Sequence, residues 1–177
     1  MAGQQDTRFQ LLPFAISLAV VVADRISKAL IQRSMTRMDS VSIVSGWLRI
    51  IHTENPGGAF GVLAEDNTFL RTVVLIGVSG LVLLFVVRAL LRHNASFDGS
   101  VTRFGLSLIL GGAVGNLYDR IVHGTVTDFI EVYHGPWSFP AFNVADSAIT
   151  IGAILLLVDL IRPQRRPVEE QAGLAHK

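Results

Sequence analysis

The sequence predicts an all-α membrane protein: four transmembrane helices, a small extracytoplasmic β platform and an outer aromatic loop. Three observations predict it. Half of the 177 residues are hydrophobic and only 16% are charged, against about 25% charged in a soluble domain, and mean hydropathy is +0.49. Four segments, near residues 11–30, 69–91, 102–121 and 142–161, approach the roughly 20 apolar residues that cross about 30 Å of hydrocarbon. Two longer connections, 32–67 and 122–141, have the composition of surface structure. Residues 1–163 read as one integral membrane domain and 164–177 as a polar tail.

The first segment has a weakly basic flank, with Arg8, and no small-residue cleavage site follows it. It continues into Asp24 and Lys28, so it reads as a retained helix and not as a secretory signal peptide. The first connection clusters the β-formers Val41, Ile43, Val44, Trp47, Leu48, Ile50 and Ile51 between Ser, Gly and Pro, which predicts short strands at the membrane surface. The second carries Phe129, Tyr133, Trp137 and Phe139 around Gly135-Pro136, aromatics of the kind that favour a membrane interface. An even number of spans puts both termini on one side. The Lys/Arg bias, with Arg88, Arg92, Arg103, Arg162, Arg165 and Arg166 on the terminal side, predicts that side to be cytoplasmic.

Ionisable residues within spans are costly, about 2.5–3.5 kcal/mol each on insertion scales, and usually face the protein interior. Here they gather toward the outer ends. Asp24 and Lys28 stand four apart and share a helix face; they read either as a structural ion pair or as groups that position a substrate. In Gly111-Gly112-Ala113-Val114-Gly115-Asn116-Leu117-Tyr118-Asp119-Arg120 the small residues permit close helix packing, while Asn116 and Arg120 put an amide and a guanidinium on one wall. The turn sequence Asn55-Pro56-Gly57-Gly58 reads as a tight turn or as an amide that binds substrate backbone, with Gly58 permitting close approach.

Asp146 follows Asn143 by three at the start of the fourth span, where an Asp is ordinarily a helix cap. Asp128 lies just past the third span, on the same side of the membrane. Antiparallel third and fourth spans with a short connection bring these two carboxylates to one membrane face. Two carboxylates in contact do not both ionise easily, so the pair holds one proton. One Asp then takes a proton from water and the other donates to a carbonyl oxygen, without a covalent intermediate.

Five blocks occur in order over residues 24–147: Asp24-x-x-x-Lys28; Asn55-x-Gly57-Gly58-Ala59-Phe60-Gly61; Gly111-Gly112-x-x-Gly115-Asn116-x-x-Asp119-Arg120; Val126-x-Asp128-Phe129; and Phe142-Asn143-x-Ala145-Asp146-Ser147. Together they resemble the bacterial lipoprotein signal peptidase (signal peptidase II) family. That resemblance implies an aspartic endopeptidase of the bacterial inner membrane, acting on lipidated prolipoproteins before a diacylglyceryl-cysteine. It implies Asp128 and Asp146 as the catalytic pair at the outer face, and Asn55, Asn116, Arg120 and Asn143 lining the site. Asp24, Lys28, Gly58 and Asp119 are implied as supporting groups. It further implies inhibition by globomycin-type cyclic peptides, with membrane lipid as a partner and a monomeric enzyme.

Other chemistries fit less well. Net charge is +1, which gives no electrostatic case for nucleic acid. The absence of cysteine excludes thiolate catalysis, thiolate metal sites and disulfides. No His-Glu-x-x-His motif occurs, and neither a metal nor another cofactor is expected. Gly77-Val78-Ser79-Gly80 reads as a serine-nucleophile tetrapeptide, but every His falls outside the spans or at their ends. A small transporter or channel subunit is the alternative from another class. It requires polar groups through the whole membrane depth, whereas segments such as Val82–Val87 are apolar.

Overall fold

The computed structural model describes residues 7–37, 39–57, 68–91 and 99–161. Among the described residues four helices form: α1 (Thr7–Ser34), α2 (Thr68–Leu91), α3 (Ser100–His123) and α4 (Val144–Ile161). They overlie the four apolar segments and extend the first and third by several residues. Among the described residues, two helices are long and apolar enough to cross a membrane: Phe69–Leu91 and Val144–Ile161. The other two, α1 and α3, hold Asp24 and Lys28, and Asn116, Asp119 and Arg120.

The central element is α3, against which α1, α2 and α4 all pack. Small residues permit this. A Cβ on Gly112 would lie 2.4 Å from the Ala145 carbonyl oxygen of α4, and one on Gly111 2.6 Å from the Ser17 carbonyl oxygen of α1. Helix backbones can approach this closely only where side chains are absent. Toward the other end Val86, Ala89, Leu90, Leu106 and Leu110 form a buried apolar cluster. Asp159 of α4 accepts a hydrogen bond from Thr102 Oγ1 beside the start of α3. The N-cap there, Gly99, offers no side chain, so the carboxylate supplies the negative charge that a helix N-terminus favours. Large apolar side chains such as Phe69, Leu81 and Leu160 point outward and are exposed.

The strands β1 (Ser40–Val44), β2 (Leu48–Asn55), β3 (Val126–His134) and β4 (Trp137–Ser138) build one antiparallel sheet in the order β1-β2-β3-β4. The platform read from residues 41–51 is therefore present as β1 and the start of β2. The aromatic connection is a correction: its middle is not a loop but β3 and β4. Gly124, with φ 75°, ends α3 in the left-handed conformation and turns the chain into β3. Pairing then aligns Thr53 with Asp128 and Asn55 with Val126. An isolated bridge between Ile130 and Phe142 delivers the chain to the start of α4.

Candidate active site

Asn143 organises the site. It is the N-cap of α4, since its Oδ1 accepts the Asp146 backbone N–H at 2.8 Å. Asp146 Oδ2 in turn accepts the Asn143 N–H at 3.2 Å. This is a reciprocal capping arrangement, in which each side chain satisfies a backbone donor that the helix leaves open. Asp146 therefore occupies the first turn with its other oxygen free to accept from Asn116 Nδ2, at 2.7 Å.

The same Asn143 side chain reaches Asp128. Its Nδ2 donates to Asp128 Oδ1 at 2.7 Å, and Asn55 Nδ2 donates to Asp128 Oδ2 at 2.9 Å. Asp128 and Asn143 are buried. Burial pushes the Asp128 carboxyl up to about 6; the nearby Asp146 charge pushes the same way, while the Asn55 and Asn143 amides oppose it. Both aspartates thus share one bridging residue and interact electrostatically.

Beneath them lies a charged cluster. Lys28, fully enclosed, donates to Asp24 Oδ2 at 2.8 Å and to Asn116 Oδ1 at 3.0 Å. It also forms an ion pair with Asp119 Oδ2 at 2.7 Å. An ammonium only donates, so the Asn116 carbonyl oxygen must face Lys28 and its NH₂ must face Asp146. Asp24 Oδ1 accepts the Ala145 N–H at 3.0 Å, which satisfies another open donor of α4. The Asp24–Lys28 spacing gives an ion pair, and Lys28 also orients the Asn116 amide.

Arg120 donates from Nη1 to the Asn116 backbone carbonyl at 3.3 Å, while its Nε is buried without a hydrogen-bond partner. Of the residues singled out by sequence, Asp24, Lys28, Asn55, Asn116, Asp119, Asp128, Asn143 and Asp146 are joined in one network of hydrogen bonds and ion pairs, and Arg120 by its contact to Asn116. Gly58 lies outside the described residues, as does the tail 164–177; Gly57, with φ +90°, packs against Leu75 of α2. Sequence reasoning missed Arg25, which pairs with Asp119 and covers the Tyr118 ring at 4.4 Å. It also missed Gln32, which donates to Thr127 Oγ1 at 2.7 Å. Their spacing along α1 carried no signal, because their partners lie on α3 and β3.

A sequence profile described as Signal peptidase (SPase) II matches residues 16–162. The chain belongs to the signal peptidase II family. Curated relatives agree with this membership. A protein of Solibacter usitatus named lipoprotein signal peptidase is 39% identical over 153 residues, covering 86% of this chain and 92% of that one. One of the same name from Cupriavidus necator is 43% identical over 156 residues, covering 88% and 86%. Two solved structures, described as a bacterial membrane enzyme determined by the in meso method, each superpose with a TM-score of 0.75. They are 27% and 29% identical, cover 88% and 86% of this chain, and each is covered over 94% of its length. Signal peptidase II membership extends across all the site residues described above.

Proposed function

We propose that this chain is a membrane aspartic endopeptidase that removes signal peptides from lipid-modified prolipoproteins, cutting on the N-terminal side of a diacylglyceryl-cysteine. The observation that carries the reading is the shared Asn143, which hydrogen-bonds the side chains of both Asp128 and Asp146. Family membership and the names of the relatives support the substrate class.

In this reading the pair holds one proton. The ionised carboxylate removes a proton from a water molecule as its oxygen attacks the scissile carbonyl carbon, and the protonated carboxyl donates to the carbonyl oxygen. The tetrahedral diol collapses with proton transfer to the departing amine. The two products are a peptide carboxylate and the free amino group of the modified cysteine, and no acyl-enzyme forms. Asn55, Asn116 and Asn143 hold the two carboxylates in place, and the unpartnered Arg120 Nε is a donor left for the substrate.

Four spans, cytoplasmic termini and a site at the outer face complete the proposal. Two acyl chains on the cysteine then anchor the substrate in the bilayer with its scissile bond near the headgroups. Lipid is a natural partner, globomycin-type peptides are competitors for the site, and a monomer suffices. An ion path is disfavoured by the buried apolar cluster of Val86, Ala89, Leu90, Leu106 and Leu110. The test is a gel-mobility assay of purified enzyme in detergent, with lipidated and unlipidated forms of one precursor. Release of signal peptide from the lipidated form alone is expected. Equal cleavage of both removes the lipid requirement, and loss of activity in folded Ser79→Ala revives a serine mechanism.

A further inference from the structure

A part-buried carboxyl that the dyad chemistry does not use lies on the opposite face of the same strand pair. Successive strand residues point to opposite faces. Asn55 reaches Asp128, and its neighbour Glu54 reaches the other way. Glu54 Oε2 accepts from Thr125 Oγ1 at 2.6 Å, and Oε1 from Thr127 Oγ1 at 3.1 Å. His52 Nε2 lies 3.2 Å from Oε1, and His52 Nδ1 lies 2.9 Å from the Met35 carbonyl oxygen, just past the end of α1. Gln32 of α1 completes the set through Thr127 Oγ1. The Glu54 and His52 side chains are only 14% and 9% exposed. Burial would raise the Glu54 carboxyl, but the Thr125, His52 and Thr127 hydrogen bonds hold it below its usual range.

One carboxylate thus grips Thr127 of β3 and Thr125 just before that strand, one and three positions ahead of Asp128, while its own backbone leads directly into Asn55. His52 and Gln32 tie this grip to α1, the helix whose Asp24 and Lys28 hold α4 and Asn116. Enclosing a carboxylate is costly unless its oxygens are bonded. A packed apolar residue would stabilise the strands with less demand on geometry. What the polar grip adds is a fixed register and direction. We propose that Glu54, supported by His52, is a positioning residue that fixes the Asn55 amide against the Asp128 carboxylate. This rests on the dyad reading above.

The experiment uses full-length enzyme in detergent with lipidated precursor, and compares Glu54→Gln, Asn55→Ala, the double variant and Asp128→Asn. Misplacing a reacting group by about 1 Å costs on the order of a hundredfold, so a partial loosening in Glu54→Gln is expected to lower kcat about tenfold. KM should stay within about twofold, because the substrate contacts remain. In the Asn55→Ala background the added loss should shrink to about twofold or less, since the amide being positioned is gone. Wild-type kcat in Glu54→Gln, a loss carried by KM, or losses that multiply in the double variant each overturn the proposal. Should Glu54→Gln fail to fold, Thr125→Val is read in the same two backgrounds with the same criteria. An inactive Asp128→Asn beside a fully active Glu54→Gln overturns the positioning role alone, whereas an active Asp128→Asn overturns the dyad itself.

Discussion

Lys28→Met probes the charged cluster beneath the aspartates. Methionine keeps the unbranched length of lysine and removes only the ammonium. That ammonium is fully enclosed and contacts Asp24 at 2.8 Å, Asp119 at 2.7 Å and Asn116 at 3.0 Å. After its loss Asp119 keeps Arg25, but Asp24 keeps only the Ala145 N–H. Removing one partner of a buried ion pair costs about 3–5 kcal/mol, because a charge is left uncompensated. Native stabilities are typically about 5–15 kcal/mol, so this is roughly a fifth or more of the total. Lys28→Met/Asp24→Asn relieves the stranded charge and should regain about 2 kcal/mol of that loss. Activity should not recover in parallel, since Asn116 Oδ1 has lost its Lys28 donor and keeps only the longer 3.3 Å bond from Asn143 Nδ2 to turn its NH₂ toward Asp146. Denaturant titration in mixed micelles reads the stability, and precursor cleavage reads kcat. Wild-type stability in Lys28→Met, or a double variant less stable than the single, refutes the reasoning.

Two further outcomes follow from the geometry. Gly112→Ala places a methyl 2.4 Å from the Ala145 carbonyl oxygen; it should destabilise by about 1–3 kcal/mol and lower kcat by shifting the first turn of α4. Gly77→Ala, with nothing within 4 Å, should stay within about 0.5 kcal/mol of wild type in the same denaturant titration. The pH dependence has a defined sign. Asp128 is raised to about 6, above an unfolded carboxyl near 3.9. Its contribution to stability is therefore full below about pH 4 and is lost as pH rises through 6. In the proposed dyad the alkaline limb of kcat/KM follows loss of the shared proton. The Asn55 amide lowers the Asp128 value, so Asn55→Ala should move that limb to higher pH; a shift to lower pH contradicts the assignment.

Much of this was legible in the chain. The helices announced themselves through long apolar runs, and Asp24–Lys28 through helical spacing. Val41, Ile43, Val44 and Ile50 marked the first hairpin because β-branched residues fit a pleated strand. The segment 126–138 was hidden. Its aromatics and Gly135-Pro136 look like a loop, and its strand partner β2 lies far away in sequence. Only the open edge of β2 makes a strand of it. Asp146 posed a choice between cap and site residue that spacing could not resolve. The structure makes Asn143 the cap and leaves Asp146 in the first turn, bonded to Asn143 and Asn116. Asn143's link to Asp128 depends on the Ile130–Phe142 bridge, which no local pattern predicts.

The most direct test of the central claim is cleavage of a lipidated prolipoprotein by Asp128→Asn and by Asp146→Asn. Each substitution keeps the size of the side chain and removes one ionisable carboxyl. Both variants should remain folded, by the same denaturant titration, and both should be inactive, because one carboxyl alone cannot serve as both proton acceptor and donor. Near wild-type turnover in either folded variant would contradict the account.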